Sequence, residues 1–85
     1  MPRINPLATE WRFVEGEIIG LDLKTEEYFS IKGSGVPLWR QMADGATEDE
    51  LGELLVGRYR LSPDTATTDV AAFLANLRER GLIEP

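Results

Sequence analysis

With 85 residues the chain has room for one domain, whose core can shape a surface but has little spare volume for a deep pocket. It contains neither cysteine nor histidine, which excludes a thiol nucleophile, a disulfide framework, a thiolate zinc site and an imidazole base. Nine basic against fifteen acidic residues leave a net charge of -6, which disfavours approach to the phosphate backbones of nucleic acids. At 42% hydrophobic and 28% charged the composition is globular rather than disordered. No apolar run approaches the roughly 18 residues of a membrane span, and the first residues lack a basic segment followed by an apolar one, so a soluble cytoplasmic protein is expected. Asp22, Glu26 and Glu27 are close enough in sequence to suggest a carboxylate metal site. Their spacing resembles no calcium loop, however, and solvated acids are the expected reading; neither metal nor cofactor is anticipated.

Residues 1–8, with Pro2, Asn5 and Pro6, read as an irregular lead-in to a domain over 9–85. Thr9–Val14 alternates, with Trp11 and Phe13 on one side and Glu10 and Arg12 on the other. Glu15-Gly16 is then a two-residue turn, although Asn-Gly or Asp-Gly would signal it more strongly. Residues 17–23 continue with Ile19, Leu21 and Leu23 on one face and Ile18, Gly20 and Asp22 on the other. After a polar break at 24–26, residues 27–32 supply a third strand carrying Tyr28, Phe29 and Ile31. Connections this short leave no space for crossovers, so the three strands form an antiparallel meander with one face in need of a cover.

The remainder reads as helical. Gly33-Ser34-Gly35 ends the sheet, Ser34 is placed to cap a short helix, and Pro37 falls at about the third helical position, where no intrahelical amide bond is missed. Val36, Leu38, Trp39, Met42 and Ala43 make its apolar stripe, and Asp44-Gly45 stops it. Thr47 and Glu50 have capping-box spacing ahead of Leu51, Leu54, Leu55 and Tyr59. Gly52 and Gly57 weaken this second helix in isolation. Ser62 as cap, Pro63 at the first position and Asp64 in the positive first turn open the third. Its apolar face runs Ala66, Val70, Phe73, Leu74 and Leu77 to Arg78, Arg80 and the C-cap Gly81, after which Leu82 and Ile83 tuck back. The expected fold class is α+β, three antiparallel strands followed by three helices, with a winged helix-turn-helix-like outline.

From Trp11 to Ile83 the chain resembles the PqqD-like family, the recognition elements for ribosomally made peptides that are later modified. The resemblance is carried by Tyr28-Phe29-Ser30-Ile31, Gly35 with Leu38-Trp39, Asp44-Gly45 before Thr47 and Glu50, Arg58-Tyr59, then Val70, Phe73, Leu74 and Leu77 with Gly81-Leu82-Ile83. The compact form is most similar to the free-standing leader-recognition protein of lasso-peptide clusters, with the relative serving pyrroloquinoline quinone synthesis second. The resemblance implies a non-catalytic protein that holds the leader of a precursor peptide as an added antiparallel strand beside the third strand. It also implies two partner enzymes, a transglutaminase-like cysteine protease that removes the leader and an ATP-dependent cyclase. The absence of Cys and His agrees with that division of labour.

On the residues themselves, Glu27, Tyr28, Phe29, Ser30 and Ile31 are the expected pairing segment, since an edge strand offers unpaired amides and carbonyls to an extended peptide. Val70, Phe73 and Leu77 are expected to offer apolar contacts across a groove, with Tyr28 as an amphipathic wall. Asp69 and Arg78 are placed to pair with a basic and an acidic leader residue. Phe73 reads as core before groove, Leu74 as core, Val70 and Leu77 as boundary residues, and Trp39 as core beneath the sheet. Two other classes compete. A winged-helix DNA reader would need exposed basic or amide side chains on the last helix, which instead carries Asp64, Asp69 and Glu79 beside Asn76, Arg78 and Arg80. A regulatory adaptor for a folded protein would lack a precursor peptide and modifying enzymes among its neighbours.

Overall fold

A computed structural model describes residues 1–85. Three strands, β1 (Thr9–Val14), β2 (Glu17–Asp22) and β3 (Glu27–Ile31), precede three helices, α1 (Gly35–Asp44), α2 (Glu48–Tyr59) and α3 (Pro63–Glu79). The sheet is antiparallel in the order β1-β2-β3, as the short connections require. Glu15 and Gly16 both take positive φ, 50° and 81°, the conformation of a type I′ turn, so Glu15 fills a position that glycine or asparagine would occupy with less strain.

The register settles which face of the sheet is inside. Trp11, Gly20 and Phe29 form one cross-strand row, and Phe13, Ile18 and Ile31 the next. These rows lie against the helices, with Ile18, Phe29 and Ile31 buried, while the more apolar side of β2, Ile19 and Leu21, faces outward and is half-buried. The reason sits at Gly20. A Cβ there would collide with the Phe29 ring, which occupies the space the missing side chain leaves. Phe29 in turn packs against Trp39 of α1 at 5.8 Å between ring centroids, and Trp11 meets Trp39 edge-on at 5.9 Å. Trp39 is fully buried, its indole N–H without a hydrogen-bond partner.

The helix signals act locally, with one exception. Thr47 and Glu50 form a reciprocal capping box, Glu50 N donating to the Thr47 hydroxyl (3.1 Å) and Thr47 N to the Glu50 carboxylate (2.9 Å). The Ser62 hydroxyl accepts from Thr65 N at 3.2 Å. Ser34 makes no side-chain cap; its backbone is already helical, and Val36 N donates to the Gly33 carbonyl instead. Ala43 and Tyr59, expected on apolar stripes, are exposed, whereas Val36, Leu38 and Met42 are buried as expected. The lead-in is tied down by the other terminus. Ile4 bridges Ile83, Asn5 N donates to the Leu82 carbonyl and Glu84 N to that of Arg3. Leu82 and Ile83 are buried, as a tucked-back anchor requires.

The loop between β2 and β3 is organised by Asp22, whose Oδ1 accepts from Lys24 N (2.9 Å) and Thr25 N (3.3 Å). The bond from Lys24 N holds the Asp22 carboxyl below its ordinary pKa, and the bond from Thr47 N does the same for Glu50. The Asp22 lone pairs are thereby engaged by the turn, and no group of three potential metal ligands converges anywhere in the chain.

Two predictions follow from this packing. Gly20→Ala should destabilise the domain by at least about 1–3 kcal/mol, because the new methyl competes with the Phe29 ring for one space; chemical denaturation measures it, and wild-type stability would contradict the packing. For the carboxylates, a folded pKa below the unfolded one contributes stability that is present at neutral pH and lost as pH falls through the folded value. The Asp22→Asn, Glu50→Gln double variant should therefore lose less Tm than wild type between about pH 5 and about pH 3, and equal slopes in thermal melts would count against it.

Candidate peptide-binding edge

The geometry of β3 follows from the turn that opens the sheet. A two-residue hairpin closes on a pair that exchanges both backbone bonds, here Val14 and Glu17. Alternation then assigns Glu17, Ile19 and Leu21 to bonds with β1, and the bond from Leu23 N to the Ala8 carbonyl at 2.8 Å continues the same parity. Ile18, Gly20 and Asp22 consequently bond to Ile31, Phe29 and Glu27. On β3 this leaves the N–H and C=O of Tyr28 and Ser30 directed away from the sheet. No strand pairs with that side.

An apolar floor runs alongside. Phe29 and Ile31 point inward and are buried, and Phe73 of α3 is half-buried against the core. Phe73 meets β3 at its far end, where a Cβ on Gly35 would lie 2.7 Å from Ile31 Cγ2 and 3.2 Å from Phe73 Cε1. The Arg80 guanidinium lies 5.4 Å from the Phe29 ring centroid. Since residue 73 stands by Ile31 and residue 80 by Phe29, α3 runs antiparallel to β3. At the Glu27 end a shallow depression of about 300 Å³ is lined by Asp22, Thr25, Glu27, Glu79 and Arg80, three carboxylates against one guanidinium.

Several expected site residues stand elsewhere than the sequence suggests. Tyr28 is 79% exposed and, by its parity with Leu21, lies on the outer face of the sheet, so it flanks the edge from outside and forms no wall toward α3. Val70 and Leu77 are buried, 1% and 2% exposed, and are not the boundary residues their periodicity implied. Val70 turns toward α2, where it borders the cleft between those helices. Arg78 lies beside Asn5, Lys24 and Ile83, on the side of α3 that meets the chain termini. The basic residue beside β3 is Arg80, which sequence reasoning passed over. Its spacing of seven from Phe73 was the available signal, for two helical turns return to the same face. Asp69 is exposed and one turn before Phe73 on that face, beyond the Ile31 end.

The chain resembles two solved structures over nearly its whole length. One, described as TbiB1 in complex with the TbiA(beta) leader peptide, superposes with a TM-score of 0.90 at 24% identity, covering 96% of this chain and 94% of the other. The second, a lasso peptide synthetase B1 complexed with the leader peptide, gives 0.87 at 21% identity, covering 99% and 98%. Both likenesses concern the fold. No curated protein matches in sequence. The family model for coenzyme PQQ synthesis protein D matches residues 17–83, the strands β2 and β3 and all three helices. The chain belongs to the PqqD family.

Proposed function

We propose that this protein binds the leader segment of a ribosomally made precursor peptide as an added antiparallel strand along β3, catalyses nothing itself, and presents the peptide to separate enzymes. The carrying observation is the open edge, with the Tyr28 and Ser30 backbone groups turned outward over a floor of Phe29, Ile31 and Phe73. Main-chain pairing supplies affinity, and alternate peptide residues reaching the floor supply selectivity. That two proteins of the same fold are described in complex with leader peptides supports the reading, and favours lasso-peptide biosynthesis as its setting. The client enzymes would then be a leader peptidase of transglutaminase-like cysteine protease type and an ATP-dependent cyclase. A peptide chaperone in pyrroloquinoline quinone synthesis is the second reading, favoured by the family description. The precursor that binds discriminates the two.

The peptide's side chains have recognisable partners. Apolar residues suit the floor near Phe73, while Glu27 and Glu79 suit a basic residue at the other end, with Arg80 poised for an acidic neighbour. Asp69 is placed for a basic residue beyond Ile31. Val70 and Leu77 would act from beneath by holding Phe73 in place, and Arg78 would touch the peptide only past the end of the strand.

The test is a titration with the leader encoded by the neighbouring precursor gene. Amide exchange at Tyr28 and Ser30 should slow on binding, while Glu27, Phe29 and Ile31, already bonded to β2, change much less. Much of the affinity should survive about 0.5 M salt, where the Debye length is about 4 Å, because amide pairing is short-ranged. Protection confined to α1 or α2 would defeat strand addition. Phe73→Ala should cost at least about 1 kcal/mol of binding, within the range of an interface anchor. Because Phe73 also touches the core, thermal unfolding is to be measured on the same variant; full binding by a folded protein would remove Phe73 from the site.

A further inference from the structure

Toward the first half of α3, a cleft of about 550 Å³ opens between α2 and α3, with Val56, Ala66 and Val70 among its lining residues. Two lining residues of α2 are glycines, Gly52 and Gly57. Glycine weakens a helix interior relative to alanine, so two within twelve residues call for a reason. Neither has a positive φ. Nor does any close approach within the chain require them, for a Cβ added to either would meet nothing within 4 Å. The fold makes no use of the space both leave on this one cleft.

The cleft is also charged on one side only. Glu48, Asp49 and Glu53 line it, and no lysine or arginine does. The positive end of α2 accounts for acids in its first turn, Glu48 and Asp49, but Glu53 lies beyond that turn. The one salt bridge of the molecule joins Lys32 to Glu17, so none of these three carboxylates has a cationic partner in the chain. A cleft lined by Val56, Ala66, Val70 and two glycines, with acids that have no cationic partner, is complementary to an element that is apolar along one side and cationic beside it. It repels phosphate backbones.

We propose that the α2–α3 cleft docks a basic amphipathic segment of a partner protein, with an aliphatic side chain of that segment over Gly52 and Gly57 and its lysines or arginines against Glu48, Asp49 and Glu53. No residue of β3, and neither Phe73 nor Arg80, lines the cleft. This surface does not depend on the leader reading; if that reading holds, it gives the protein a second attachment point separate from the peptide.

The probe is a synthetic helical peptide of about 14 residues with leucine at helical spacing and lysine on the flanks, long enough to be partly helical alone. Its control carries glutamate in place of lysine. Titrated into the isotope-labelled full chain, the lysine peptide should shift the amide signals of Gly52, Glu53, Gly57 and Val70 and leave Tyr28 and Ser30 unmoved. Its affinity should fall at least about tenfold between about 50 and about 500 mM salt, as expected of exposed charge pairs. The Gly52→Ala, Gly57→Ala double variant should melt several degrees higher, because alanine favours the helix, and yet bind at least about fivefold more weakly, because its methyl groups occupy space the docked side chain would take. Glu53→Lys should weaken binding without lowering Tm. Shifts spread over the acidic surface at large, undiminished binding by the double-alanine variant, or equal binding of the glutamate peptide would each overturn the proposal.

Discussion

Between the sheet and the helices, everything is arranged around the Phe29 ring, which lies in the space Gly20 leaves open and against the buried indole of Trp39. This contact joins β2, β3 and α1 in one place. It forces the side of β2 that carries glycine to face inward, although the opposite side, with Ile19 and Leu21, is the more apolar. Burying Phe29 and Trp39 together removes more apolar surface from water than burying Ile19 and Leu21 would, since aromatic side chains bury about 150–250 Å² each.

The same constraint shapes the edge. With Phe29 turned inward and bonded through its backbone to Gly20, its neighbours Tyr28 and Ser30 necessarily direct their backbone groups outward. Such an edge invites self-association unless it is blunted. Here the strand is only five residues long, and it is flanked by Glu27 and Lys32. Arg80 lying over Phe29 sets a further charge beside it. These features discourage pairing with a second copy. The helix α3 then gives a pairing surface a floor, and its antiparallel course brings Phe73 to one end and Arg80 to the other.

Much of this was legible in the sequence where the signal is local. The turn at Glu15-Gly16, the capping box of Thr47 and Glu50, and the Ser62-Pro63 start each place an element within a residue of its observed boundary. The three strands follow from alternation and loop length alone. What the sequence did not disclose depends on partners far along the chain. Both faces of β2 hold isoleucine, and only Phe29 across the sheet reveals why Gly20 belongs inside. Val70 and Leu77 read as boundary residues because a 3.6-residue period gives a stripe but not its width, and packing against α2 and the chain termini widened it. Arg80 could be placed only through Phe73, seven residues before it, because the sequence does not by itself show which flank of α3 meets β3. The pairing of Ile4 with Ile83, linking the two ends, has no local signature at all.

On the proposed function a leader peptide becomes the fourth strand of this sheet, and interstrand contacts between backbone protons test that most directly. In an antiparallel ladder the residue that does not exchange bonds with its neighbour turns its α-proton toward it, and the two Cα atoms stand only about 4.5 Å apart. Phe29 is that residue on the outer side of β3. In an isotope-filtered spectrum of the labelled protein with unlabelled leader peptide, the Phe29 α-proton should show a strong contact to an α-proton of the peptide. A bound peptide that shows no such contact, and touches only side chains of the helices, would contradict strand addition outright.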